Sequence, residues 1–360
     1  EQGLWPVHPE DKDGDTPAFY DLYLGASGVV WALDTLKRLG ATDQSFRPDL
    51  DVSNWIAANR ACFPGYDRLE SLLSGDAGLL LTQYRRAPKP HTAEALAHAI
   101  EVNLDHPAME LMWGGCGSMV AALDLHDLTS DTRWIALYRQ GADNLLSAFR
   151  ADTATGFRIW TQVLGPQNRK HTMLGAAHGF AGNALALIRG RAHIDPATWA
   201  ETSLALANTL ERSAIWGEGG VNWPSHVGRE EPGWKMLMQI CHGAPGMIVG
   251  LADLDQPIDD LLIAGGEGVW RAGPLAKGSN LCHGTAGNGY AFLKLFARTG
   301  NELWLSRARA FAMHAIAQNE AELQHYGMRR HSLWTGDLGL ALYLQSCLEG
   351  SASFPTLDVL

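Results

Sequence analysis

Seven times along this chain of 360 residues a Gly-x-x-Gly step leads into a run of apolar residues. The steps are Gly25–Gly28, Gly75–Gly78, Gly114–Gly117, Gly179–Gly182, Gly243–Gly246, Gly284–Gly287 and Gly336–Gly339. One such step means little in a sequence with 39 glycines. Seven, each heading a helix-like apolar run, mark an internal repeat, which decides the fold before anything else does. The spacing is loose, from 39 residues between Gly75 and Gly114 to 65 between Gly114 and Gly179. Glycine lets a loop turn sharply and lets a helix start close to its neighbour. The runs that follow, such as Val29-Val30-Trp31-Ala32-Leu33, are apolar nearly all round, the mark of a buried helix.

Amphipathic stretches lie between these runs, at Thr92–Leu104, Asp131–Phe149, Pro196–Ser213 and Glu302–Gln318. Asp195 before Pro196 reads as an N-cap followed by a first-turn proline. Each unit therefore predicts an amphipathic helix, a loop, a glycine step and a buried helix. About seven such hairpins closing in a ring give an all-α fold, a double-layered α/α toroid, with the glycine steps gathered at one end. Residues 1–20 read as a polar tail and 21–360 as one toroid domain. Strand signals are scarce, with Gly219–Trp223 a candidate hairpin arm. Inserts at Gly165–Lys170 and Gly217–Gly233 are where a scaffold of this kind places binding surface.

Charge and cysteine content narrow the function. The net charge is −11, with no dense Lys/Arg cluster, which argues against nucleic acid. No apolar run reaches the ~18 residues of a membrane span. Five cysteines, at 62, 116, 241, 282 and 347, fit free thiols in a reducing compartment, so the expected location is cytoplasmic.

Two cysteines open the same phrase: Cys241-His242-Gly243-Ala-Pro-Gly246 and Cys282-His283-Gly284-Thr-Ala-Gly287. Two thiols and an imidazole suit Zn²⁺, and three protein ligands leave a fourth position open, as in catalytic zinc sites.

These phrases, with Gly175-Ala-Ala-His178-Gly-Phe-Ala-Gly182 and the ending Phe354-Pro-Thr-Leu-Asp-Val-Leu360, resemble the lanthionine synthetase C-like family over nearly the whole chain. They look closer to its eukaryotic-type members than to lantibiotic cyclases, which more often carry Tyr where this chain has His242. The resemblance implies the toroid, one zinc ion held by Cys241, Cys282 and His283, and addition of a thiol across a dehydroalanine or dehydrobutyrine double bond. The thiol is a peptide cysteine in bacterial cyclases and glutathione in the eukaryotic-type proteins, with a dehydroamino-acid-containing peptide or protein as acceptor. His178 matches the histidine proposed as proton donor. Two departures stand out. Ile240 stands where relatives commonly place Trp, and the first glycine step comes early, whereas eukaryotic-type members carry a further N-terminal helical segment that contributes to glutathione binding.

Other residues carry functional or structural readings. His242 could donate to the enolate, orient substrate, or bond a loop carbonyl. Lys277 could pair with a glutathione carboxylate or stabilise the enolate, or be a solvated loop lysine. Glu110 could orient His178 or a substrate amine, or serve only a helix N-terminus. Asp76 and Asp337 read as N-caps, Cys116 as buried filler, and Trp113 and Trp334 as candidates to line a substrate funnel. Two other functions compete: a zinc- or glutathione-binding scaffold without turnover, and a toroid glycoside hydrolase. The hydrolase needs two carboxylates about 5–10 Å apart, for which Glu110 with Asp76 or Asp337 are the candidates.

Overall fold

The computed structural model describes residues 5–12, 18–43, 52–63, 68–165, 167–228 and 236–360. Seven inner helices follow the seven glycine steps: α1 (Ala26–Arg38), α3 (Asp76–Arg86), α5 (Gly115–Thr129), α7 (Phe180–Arg189), α9 (Ala244–Leu251), α11 (Thr285–Thr299) and α13 (Asp337–Glu349). Six outer helices alternate with them: α2 (Val52–Cys62), α4 (Pro90–Asn103), α6 (Thr132–Ala148), α8 (Pro196–Arg212), α10 (Asp259–Ala272) and α12 (Glu302–Tyr326). Each inner helix packs against the next, α1 on α3 and onward to α13, and α13 packs back on α1. The ring is therefore closed. Every residue of α9 is buried, as is α11 from Thr285 to Leu295. Among the described residues no outer helix follows α13. The chain ends instead in a segment whose Phe354, Leu357 and Leu360 are fully buried.

The two layers start their helices differently. In the outer layer Asp131, Asn301 and Asp195 cap α6, α12 and α8 with side-chain oxygens. Every inner helix has glycine at its N-cap and no side-chain cap. In α1, α3, α7, α11 and α13 first-turn N–H groups, orphans in any helix, donate instead to carbonyls seven residues earlier, while in α9 that of Ala244 donates to Asn222 Oδ1 at 2.7 Å. Ser27 bonds Tyr20, Phe180 bonds Met173, and Thr285, Ala286 and Gly287 bond Gly278, Ser279 and Asn280. The preceding loop folds over the helix end so closely that a Cβ on Gly287 would lie 1.9 Å from the Leu281 carbonyl oxygen, and one on Gly246 would lie 2.1 Å from that of Ile240. That contact is the physical reason for the second glycine of each step. It also corrects the N-cap reading of Asp76 and Asp337. Gly75 and Gly336 are the caps, and the two carboxylates face Arg60 and Asn319 of the outer layer.

Among the described residues three small antiparallel hairpins decorate the ring: β1 (Arg150–Ala151) with β2 (Arg158–Ile159), β3 (Gln162–Leu164) with β4 (Arg169–His171), and β5 (Ile215–Gly217) with β6 (Gly220–Asn222). The first insert is thus the turn of a hairpin in its described part, and the second begins as one. Residue 166 and residues 229–233 lie outside the described residues. Of residues 1–20, positions 1–4 and 13–17 lie outside them too, while Pro9–Asp11 form a short turn docked by the Asp11–Arg330 ion pair. No helix of the described residues is long and apolar enough to cross a membrane.

Candidate functional site

The glycine-step loops meet at one end of the ring through a chain of backbone hydrogen bonds. Cys241 N–H donates to the Cys282 carbonyl (3.3 Å), Cys282 N–H to Trp334 (3.0 Å), Trp334 N–H to Tyr23 (3.1 Å) and Tyr23 N–H to Leu73 (3.0 Å). All five residues stand two positions before the first glycine of their step. The loop fold described above thus sets equivalent residues of successive repeats side by side. Cys241 and Cys282 are neighbours for that reason, and their thiols share a hydrogen bond.

Each sulfur has a further donor. Tyr23 Oη donates to Cys282 Sγ at 2.9 Å, and Gln239 Nε2 donates to Cys241 Sγ at 2.8 Å. Lys277 Nζ, 2.9 Å from Gln239 Oε1, fixes the orientation of that amide. The hydrogen bond from Cys282 pulls the Cys241 thiol down to about 7, against burial, with help from Gln239, His178 and Lys277. Cys282 is pushed up by Cys241 and by burial, so Cys241 ionises first. Burial, then Cys282, pushes the Tyr23 phenol up, which keeps it a donor.

The residue immediately before the first glycine is His178, His242 and His283 in three consecutive repeats, and Trp113 in the one before them. His178 Nδ1 is 2.8 Å from Glu110 Oε2. Glu110 is fully buried and also accepts the N–H groups of Met112 (2.9 Å), Trp113 (2.5 Å) and Gly114 (3.0 Å). Trp113 stacks on the His178 ring at 5.2 Å, and the His242 ring lies 6.4 Å away on another side. Burial pushes the His178 imidazolium down, but the hydrogen bond and charge of Glu110, with Cys241, outweigh it and its pKa is raised. His242 goes the other way, to about 4, through burial and then through His178, His226 and Lys277. Its Nδ1 is buried without a hydrogen-bond partner.

His283 lines a cavity of about 720 Å³ together with Lys277, Gln239, Glu322 and Arg330. Burial, then Arg330 and Lys277, hold its pKa near 4. Among the described residues no three His, Cys, Asp or Glu side chains stand close enough together to hold a metal ion. The two thiols are already paired, while His283, next to Cys282 in sequence, faces the cavity. In donor chemistry the set fits Zn²⁺: two thiols and an imidazole, with Tyr23 and Gln239 placed on the sulfurs as outer-shell partners are on metal ligands.

Other candidates fall away from this site. Cys116 is buried and donates to Asn183 Oδ1 at 3.0 Å. Trp334 is buried, its indole N–H on Thr356, so it packs the interior rather than lining a funnel. Asp76 and Asp337 are turned to the outer layer and Glu110 onto its own loop, which leaves no carboxylate pair flanking a sugar groove among these three. The sequence reading missed Tyr23 and Gln239. The signal for Tyr23 is its register, two residues before Gly25, the place Cys241 and Cys282 hold in their own steps.

A closed ring of inner and outer helices with a thiol pair, an imidazole and a His–Glu pair at its glycine end defines the class: an α/α toroid with its candidate site at the glycine end. The chain belongs to the lanthionine synthetase C-like family, whose model matches residues 13–359. It is 30% identical over 270 residues to LanC-like protein GCL1 of Arabidopsis thaliana, covering 69% of this chain and 58% of that one. It is 35% identical over 135 residues to glutathione S-transferase LANCL1 of Danio rerio, covering 34% of this chain and 32% of the relative. The matches thus span about a third and under three fifths of these two relatives' lengths. Nisin cyclase has the same fold, with a TM-score of 0.63, 15% identity, and coverage of 94% of this chain and 95% of that one.

Proposed function

We propose that this protein adds a thiol, from glutathione or a cysteine, across the double bond of a dehydroalanine or dehydrobutyrine residue to form a thioether. The pairing of Cys241 with Cys282 beside the His178–Glu110 pair is the observation that carries this reading. The names of the relatives, a glutathione S-transferase and a cyclase, agree with it.

In this reading Cys241, Cys282 and His283 hold Zn²⁺. When bound, the ion would keep a substrate thiol deprotonated and nucleophilic at neutral pH. Tyr23 and Gln239 hold the two cysteine sulfurs through their hydrogen bonds. As the sulfur–Cβ bond forms, the π electrons move to the α-carbon and carbonyl, and the α-carbon then takes a proton. His178 supplies it. Glu110 engages Nδ1, which leaves Nε2 as the atom that delivers the proton. Glu110 favours the charged ring by raising its pKa, and Trp113 stacks on its face. His242, with no carboxylate partner, orients the acceptor. Lys277 anchors Gln239 and presents a cation to the cavity.

The test is to incubate zinc-supplied protein with a dehydroalanine peptide and glutathione or cysteine, and to weigh the product. A thioether adduct forming faster than in buffer supports the reading. Product no faster than in buffer overturns it and leaves a binding scaffold.

A further inference from the structure

The cavity beside His283 is walled by charges of which the chemistry above uses only Lys277. Arg330, a candidate anchor for a substrate carboxylate, is 7% exposed and already committed. Its Nε and Nη2 both bond the Asp11 carboxylate, the former at 2.9 Å, and Nη1 lies 3.7 Å from Glu322. The same carboxylate accepts from the Thr335 hydroxyl at 2.9 Å and the Ser332 hydroxyl at 3.5 Å. Asp11 therefore neutralises Arg330 from behind the cavity wall, of which it is not itself a part. Its neighbour Glu10 lines the cavity and takes a hydrogen bond from the Tyr326 hydroxyl. The other lining cation, Lys277, contacts only the neutral Gln239 amide among its hydrogen-bond partners. Two lining cations (Lys277, Arg330) face two lining carboxylates (Glu10, Glu322), but the Arg330 charge is already met by Asp11 behind the wall, which leaves Lys277 against both carboxylates. Such a wall attracts an ammonium and repels surplus negative charge.

We propose that Asp11 is a specificity-determining residue: by occupying Arg330 it directs the site to a small thiol that carries a primary ammonium and at most one carboxylate, such as free cysteine, and away from multiply anionic thiols such as glutathione. This rests on the thiol-addition reading and narrows it. The ammonium meets Glu10 and Glu322, and a single carboxylate meets Lys277. A second carboxylate finds the Arg330 charge already met by Asp11 in a buried two-point contact.

The experiment has two readouts. Initial rates on one dehydroalanine peptide are measured with cysteine, cysteine methyl ester, glutathione and 3-mercaptopropionate, each scaled to its thiolate concentration. Binding of the unreactive S-methylcysteine and S-methylglutathione is measured by calorimetry. In the unaltered protein, cysteine and its ester exceed the other two by about tenfold in kcat/KM, and S-methylcysteine binds more tightly by a similar factor. Asp11→Asn narrows the gap by raising use of glutathione several-fold, which a merely structural role would not do. Equal use of glutathione and cysteine, or a variant that shifts all four thiols alike, overturns the proposal. The series in the unaltered protein decides the matter even where the variant does not fold. Absence of product with every thiol overturns the thiol-addition reading itself, whatever the binding preference.

Discussion

Tyr23 and Cys282 stand 259 residues apart in sequence, yet the phenol of one donates to the sulfur of the other at 2.9 Å. Both occupy the same place relative to a glycine step, and ring closure brings the first and sixth repeats to a common centre. Tyr23→Phe removes the donor and keeps the ring of the side chain. It is expected to weaken zinc binding by about 10–100-fold, the usual effect of losing an outer-shell partner. Competition with a chromophoric chelator measures this. Unchanged affinity removes Tyr23 from the site.

Cys282→Ala is expected to abolish zinc binding, read as metal per chain by elemental analysis, while circular dichroism still reports a helical protein. Full metal content in this variant would disprove the proposed ligand set.

His178→Asn is expected to retain zinc and lose turnover by about 10²–10⁴-fold, the range of a general acid. Thioether formation against a dehydroalanine peptide is the assay. Undiminished turnover takes His178 out of the mechanism.

The pH dependence has a sign. In the proposed mechanism His178 works as the imidazolium, whose pKa is raised by Glu110. The rate is therefore high below that pKa and falls as pH rises through it. Glu110→Gln removes the charge that raises it, so the falling limb moves to lower pH. A limb that stays in place, or moves up, contradicts the assignment.

Gly287→Ala places a methyl group against the Leu281 carbonyl. It is expected to unfold the protein or lower its melting temperature sharply. Gly300, with φ of +66° and nothing within 4 Å, offers the contrast. Alanine there costs only the left-handed strain of about 1–2 kcal/mol. Comparable thermal melts for the two variants would refute the folded-back loop.

Much of this was legible in the sequence because it is local. The glycine steps encode the loop that covers each inner helix end, and the Cys-His pairs mark two of those loops. Asp195 announced one outer helix by its own side-chain chemistry. What could not be read depends on closure. Nothing near Tyr23 says that its hydroxyl will find a sulfur of another repeat, and nothing near Asp11 names Arg330. Trp334 shows the converse: it stands in the cysteine register, yet its indole bonds Thr356, deep beneath the C-terminal segment. Asp76 was misread because a backbone loop, invisible to any rule about side-chain caps, had already satisfied its helix.

Because α13 rests on α1, the helices form a clasped belt and not an open stack. Deleting or duplicating one wedge would change the girth and retilt every other wedge, pulling the sulfurs out of alignment. Insertions are free to accumulate only in the outward connections, as the three hairpins here do, so a protein of this shape can vary widely in length while its centre holds its dimensions.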